Sequence, residues 1–370
     1  MLRSIGWSVL LLLGPSRADG QLRLVPLDIR VPRNPAAAWT SGRAHYVYEL
    51  RITNVGRQGV GVQRVEVSAN GAVVGSWSGD SLKGAILRMG EVGDGRVIGA
   101  GRQSLLYLFV TVAAPVATLD HRFLVTNPDS LAGPARDTVT GFRVETDPTP
   151  AVAIHAPLRG GPWVAGNGPS NTSGHRRTVI PLDGVGRIAQ RFATDWVKIG
   201  PDGALWQGDS TKNQNWYGYR QPLLAVAAGT VVATKDGIPE NVPLAPDRAV
   251  PITLETVGGN HVIIDLGGRR YAFYAHMVPG SLMVKVGDKV KPGDVIGLLG
   301  NSGNSDAPHL HFHVGEAPFP LKSEGLPFAL DEYVVLGQTT DVLARWNAAG
   351  APRQERQAIP AENEVVQFKP

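Results

Sequence analysis

Apolar residues recur at every second position, or in short unbroken runs, over 22–25, 45–52, 62–67, 105–112 and 142–145. A period of two puts successive side chains on opposite faces of a β-strand. Turn-forming breaks at 54–56, 70–71 and 90–101 separate these runs. Short strands punctuated in this way predict an antiparallel β-sandwich accessory domain over 21–148. Asp147-Pro148-Thr149-Pro150 then marks a boundary, because proline enforces extended backbone and lacks a donor. A second set of strand-like runs, at 223–226, 230–233, 261–266, 270–275, 295–299 and 309–314, places another mainly β domain at 151–338. Two long Gly/Pro/Asn-rich stretches, 198–220 and 236–258, read as loops that wall a groove. Residues 339–370 read as a polar C-terminal tail, a weak helix followed by disorder.

The amino terminus carries Arg3, an apolar run over 5–13 that is too short to span a bilayer, and Ser16-Arg17-Ala18. This pattern predicts a cleaved secretory signal peptide at 1–18 and a mature chain that is periplasmic or secreted. No later stretch is apolar for about 18 residues, so no transmembrane segment is expected after signal cleavage. With 45 Gly and 28 Pro the chain favours turns and strands and excludes an all-helical fold. Its 36 basic residues against 32 acidic ones give only +4, without a basic run, which argues against nucleic acid as a partner. The cysteine count of 0 excludes disulfides, thiolate metal sites and a cysteine nucleophile. Any metal must therefore sit on His, Asp or Glu.

Six of the nine histidines fall between 175 and 313. The densest group is His309-Leu310-His311-Phe312-His313, in which alternation sets three imidazoles on one strand face and packs Leu310 and Phe312 on the other. Neutral imidazole is the commonest zinc ligand, and neighbours two apart on a strand can divide metal binding from contact with water or substrate. The turn-rich run 300–308 leads into this strand, and Tyr274-Ala275-His276-Met277 ends another with a further imidazole.

These segments, together with 225–232, 286–297 and Gly300-Asn301-Ser302-Gly303, resemble in order and spacing the lysostaphin-like zinc metallopeptidases, which cut peptide cross-bridges in bacterial peptidoglycan. The resemblance covers roughly 150–330. It implies a compact antiparallel β core (the duplicated hybrid motif fold), one Zn2+ held by His, Asp and His, and two more histidines assisting water attack. Carried over by position, Asp195 and His311 would be metal ligands, and His276 and His309 the catalytic pair. The family's first ligand is a His four residues before the Asp, and here Arg191 stands in its place.

A hairpin over 175–197 with its turn near Val185 would set His175 across the ladder from Asp195. Opposed residues lie about 4.5–5.5 Å apart at Cβ, close enough to share an ion. His175 is therefore expected as the third ligand. His313 is expected to orient a ligand imidazole from behind, Tyr217 and Tyr219 to line the cleft, and His261 to be structural. The function expected from this pattern is an exported zinc endopeptidase acting on a peptidoglycan peptide. Its rivals are an inactive member of the same fold that binds peptidoglycan or regulates another hydrolase, and a biotinyl- or lipoyl-type carrier, for which Met283-Val284-Lys285 is a poor match. The amino-terminal half holds only His45 and His121, neither at ligand spacing, and is expected to be dispensable for chemistry; oligomeric state is left open.

Overall fold

The computed structural model describes residues 25–126, 136–348 and 350–370, so the expected signal peptide lies outside the described residues. Among the described residues no helix is long and apolar enough to cross a membrane. The chain is mainly β, as the alternation predicts.

In the amino-terminal half, one sheet runs Leu27–Arg30, Arg43–Asn54, Gln103–Val112, Ile86–Arg88, with Ala37–Thr40 added to Arg43–Asn54. The other runs Arg136–Glu145, Thr118–Thr126, Val60–Ala69, Ala72–Ser78, with Val97–Ile98 paired to Val60–Ala69. Tyr46, Tyr48, Leu50 and Ile52 alternate onto the inner face and meet Val62, Val65, Val67 and Phe123, which closes a sandwich. Asn70-Gly71 turns the hairpin between Val60–Ala69 and Ala72–Ser78, both residues having positive φ, as the tight two-residue turn requires.

The outer face of the first sheet is buried at its centre. Glu49 on Arg43–Asn54 is 2% exposed, and Tyr107 is fully buried beside Leu105 and Ile188. Ala38 and Val47 of the sandwich belong to the same hydrophobic core as Phe192, Trp196 and Phe312. The two halves thus share a buried interface.

The carboxy-terminal half is organised on one sheet, in the order Val152–Ile154, Phe328–Gln338, Glu364–Gln367, Trp163–Gly166, Thr194–Lys198, Leu310–Gly315, Tyr271–Met277, Asn260–Asp265, Gly229–Lys235, Lys289–Val290. All pairings along it are antiparallel except that of Val152–Ile154 with Phe328–Gln338. Residues 339–370 are not the polar, disordered tail expected. Arg353–Ala358 and Glu364–Gln367 are strands paired to Phe328–Gln338, and Val365, Val366 and Phe368 are buried. Their carboxylates do not mark disorder, because Arg353 pairs Glu355 at 2.6 Å and Glu364 at 2.8 Å.

The 175–197 hairpin is also corrected. Its ladder covers only Ile180–Leu182 against Val185–Arg187, turned by Asp183-Gly184, and Ile180 faces Arg187. The Asp195 strand takes its partners from Trp163–Gly166 on one side and Leu310–Gly315 on the other, which leaves no free edge for 175–179. His175 lies instead on a four-residue helix, Gly174–Arg177.

Candidate metal centre

Antiparallel register brings the first residues together. Asp195 is directly opposite His311, and Ala275 flanks His311 on its other side. Leu310, Phe312 and Val314 point the other way into the core and are fully buried. Regular alternation would turn His276 away from this face, since its neighbour Ala275 already shares it. His276 instead has a φ of 63°, which breaks the pleat and aims its ring at His309, 4.8 Å away between centroids. A non-glycine residue held there costs about 1–3 kcal/mol, the kind of local strain that collects at functional sites. His309 is delivered by the 300–308 loop just before its strand.

Asp195 is the hub. Its Oδ1 lies 3.0 Å from His311 Nδ1 and 3.4 Å from His309 Nε2, and its Oδ2 lies 3.2 Å from His175 Nε2. One ligand atom from each of His175, Asp195 and His311 can be chosen so that all lie within 4.8 Å of one another. His175 arrives by a different route from the cross-strand pairing expected, because the short helix projects it over the Asp195 strand.

The outer hydrogen bonds fix which nitrogen faces inward. His175 Nδ1 donates to the Asn167 carbonyl (3.2 Å), His276 Nδ1 to that of Ser302 (2.8 Å) and His309 Nδ1 to that of Ala307 (2.8 Å). Carbonyls only accept, so in each neutral ring Nε2 is bare. Behind His311, His313 is hydrogen-bonded to the Pro320 carbonyl, which leaves His313 Nδ1 to accept from His311 Nε2 at 3.0 Å. His311 Nδ1 then has no proton and faces the carboxylate. Bare nitrogen lone pairs converging on one carboxylate repel one another unless a cation lies among them, and this donor set suits zinc.

The electrostatics have the same origin. Burial holds His311 down to about 4 and keeps His276 and His313 well below the ordinary histidine range. Burial also opposes charge on His175 and His309, but the Asp195 carboxylate outweighs it and raises both. Burial alone would raise Asp195, yet His175 and His309 hold it well below the usual carboxylate range.

The group lies in a cleft of about 510 Å³ whose walls include Trp216, Leu244, Val257, Pro320 and Leu343. Tyr217 and Tyr219, expected on the cleft wall, are not there. Tyr217 packs over Gly200, and the Tyr219 hydroxyl donates to Glu240 at 2.6 Å. His261 stands apart, its ring tilted against that of Phe273 and its Nδ1 on the Gly259 carbonyl. Arg191 is 4% exposed and turned away, its guanidinium paired with Glu49 at 3.0 Å and Glu324 at 2.8 Å. Sequence reasoning missed Asn167, whose amide donates to Asp195 Oδ2 at 2.8 Å, and Ser305, whose hydroxyl lies 3.2 Å from His309 Nδ1. Neither stands at a spacing that would have marked it.

Residues 217–320 match the sequence profile of Peptidase family M23. They form a lysostaphin-like M23 domain. His276, His309, His311 and His313 fall inside the matched segment, and His175 and Asp195 precede it. Relatives include the glycyl-glycine endopeptidase ALE-1 of Staphylococcus capitis, 39% identical over 79 residues (18% of this chain, 21% of that protein). Lysostaphin of Staphylococcus simulans is 46% identical over 79 residues (18% of this chain, 16% of that protein). The peptidoglycan DD-endopeptidase ShyA of Vibrio cholerae is 41% identical over 56 residues (15% of this chain, 14% of that protein). The matched segments thus span between 14% and 21% of these relatives' own lengths.

Proposed function

We propose that this chain is an exported zinc endopeptidase that hydrolyses peptide bonds in peptidoglycan stem peptides or cross-bridges. The observation that carries the reading is the convergence of bare nitrogens from His175 and His311 on the Asp195 carboxylate. These three would hold the metal, and the cleft above them would hold the peptide. A zinc ion there supplies Lewis acidity toward the scissile carbonyl and makes water acidic enough to act as a nucleophile near neutral pH. His276 and His309 present Nε2 side by side at the cleft floor. Between them they take the proton of the attacking water, hydrogen-bond the developing oxyanion and return a proton to the leaving amine. Asn167 and Ser305 hold Asp195 and His309 in position for this. The substrate class follows from the M23 domain and from relatives such as the peptidoglycan DD-endopeptidase.

Arg191 at the customary ligand position would favour an inactive binding protein only if it faced the site; it is committed to Glu49 and Glu324. The test is metal content and turnover of the purified full chain on peptidoglycan sacculi. Roughly one zinc per chain and loss of peptide cross-links from the sacculi are expected. His175→Ala, Asp195→Ala and His311→Ala should each lose the metal. His276→Ala and His309→Ala should keep it while turnover falls about 10²–10⁴-fold. A metal-free, inactive wild-type protein would overturn the reading.

A further inference from the structure

His175 rests on one turn of helix, Gly174–Arg177, too short to hold an orientation by its own hydrogen bonds. Part of its anchorage is local, to Asn167 and Asn171, and part comes from the opposite half of the molecule. Arg176, the next residue, is fully buried, and its Nε donates to Glu49 Oε1 at 2.8 Å. Arg176 Nη2 donates to the carbonyls of Tyr48 (2.7 Å) and Leu108 (2.9 Å), which like Glu49 belong to the first sheet of the sandwich. Arg177 reaches the same half, donating to the Gly84 carbonyl and lying over the Tyr107 ring at 5.2 Å. The second oxygen of Glu49 accepts from Arg191 Nε at 3.0 Å, four residues before Asp195. One buried carboxylate therefore ties together the segments that carry His175 and Asp195.

We propose that Glu49 is a positioning residue for the metal centre, setting His175 through Arg176, so that the third ligand is placed only when the sandwich is docked. This rests on the metal-site reading above. It also explains why a His is not needed at position 191: the guanidinium there braces the turn before Asp195 through the same Glu49, while the ligand is supplied from the braced helix.

The test uses the full chain and reads metal affinity by chelator competition, with the visible spectrum of the Co2+-loaded protein as a second readout. Glu49→Gln keeps the shape but leaves the buried Arg176 guanidinium without its carboxylate and Arg191 with Glu324 alone. Because that variant risks misfolding, the quadruple variant Glu49→Leu, Arg176→Met, Arg191→Met, Glu324→Gln replaces the buried ions with uncharged groups of similar bulk, a change that buried ion pairs often tolerate. In each folded variant the metal should bind about 10–100-fold more weakly, the range seen when a ligand's outer support is lost. The Co2+ spectrum of these variants should shift away from that of the wild-type protein. Wild-type affinity and an unchanged spectrum in either folded variant would overturn the proposal while leaving the metal site standing. A wild-type chain that binds neither Zn2+ nor Co2+ would overturn both.

Discussion

At the scale of single residues, the centre depends on which nitrogen of each ring carries the proton. Backbone carbonyls decide this for His175, His276 and His309, and for His311 the decision passes through another side chain, His313. The face shared by 309, 311 and 313 could be read from their spacing, because a strand repeats every two residues. The turn of His276 into the cleft could not, since it depends on a positive φ that the sequence around Ala275 does not announce. His313→Phe tests the relay. It fills the space beside Phe273 but removes the acceptor for His311 Nε2–H. Released from that bond, His311 can move its proton to Nδ1 and present the wrong nitrogen. Metal affinity measured by chelator competition should fall about 10–100-fold with the fold intact. Unchanged affinity would mean that His313 does not set the tautomer of His311.

Among the elements, those with local signals were the legible ones. Asn70-Gly71 and Asp183-Gly184 announce their hairpins by residue type, and the runs at 45–52 and 105–112 form the strands they predict. What failed needed distant partners. The strands at Arg353–Ala358 and Glu364–Gln367 look polar because their arginine and glutamates neutralise one another only once paired, and the burial of Glu49 has no local signal because its cover comes from residues more than a hundred positions away. The inner face of the Glu49 strand carries a separate prediction. Tyr48 Oη lies 2.7 Å from His121 Nε2, and burial lowers the His121 pKa from 6.5 to about 4. The folded value is below the unfolded one, so the folded chain resists a proton that the unfolded chain accepts. This contribution to stability is fully present above pH 6.5 and is lost as pH falls toward 4. At about 1.4 kcal/mol per pH unit the loss totals about 3 kcal/mol. Urea unfolding of His121→Gln, compared with wild type at pH 7 and pH 4.5, should show the variant losing less stability on acidification. Parallel losses would assign the acid sensitivity to other groups.

For the whole molecule, the two halves depend on each other unequally. The sandwich closes its own core: Leu50, Ile52, Val65, Leu106, Leu108 and Phe123 are all fully buried against one another. The carboxy-terminal half does not, because Ala38 and Val47 complete its core, Leu105 and Tyr107 cover Ile188, and Glu49 neutralises Arg176 and Arg191. The amino-terminal half offers no ligand spacing, and what it gives the other half, burial and a charge partner, leaves no motif. A fragment spanning 25–150 should therefore unfold cooperatively on its own. A fragment spanning 151–370 would expose apolar surface and carry the Arg176 guanidinium without its carboxylate, while Arg191 keeps Glu324, and burying a charge unpaired is strongly unfavourable. It should bind zinc at least tenfold more weakly than the full chain, and adding the 25–150 fragment in trans should restore the affinity. Full zinc affinity in a folded 151–370 fragment without its partner would show that the carboxy-terminal half assembles the centre alone.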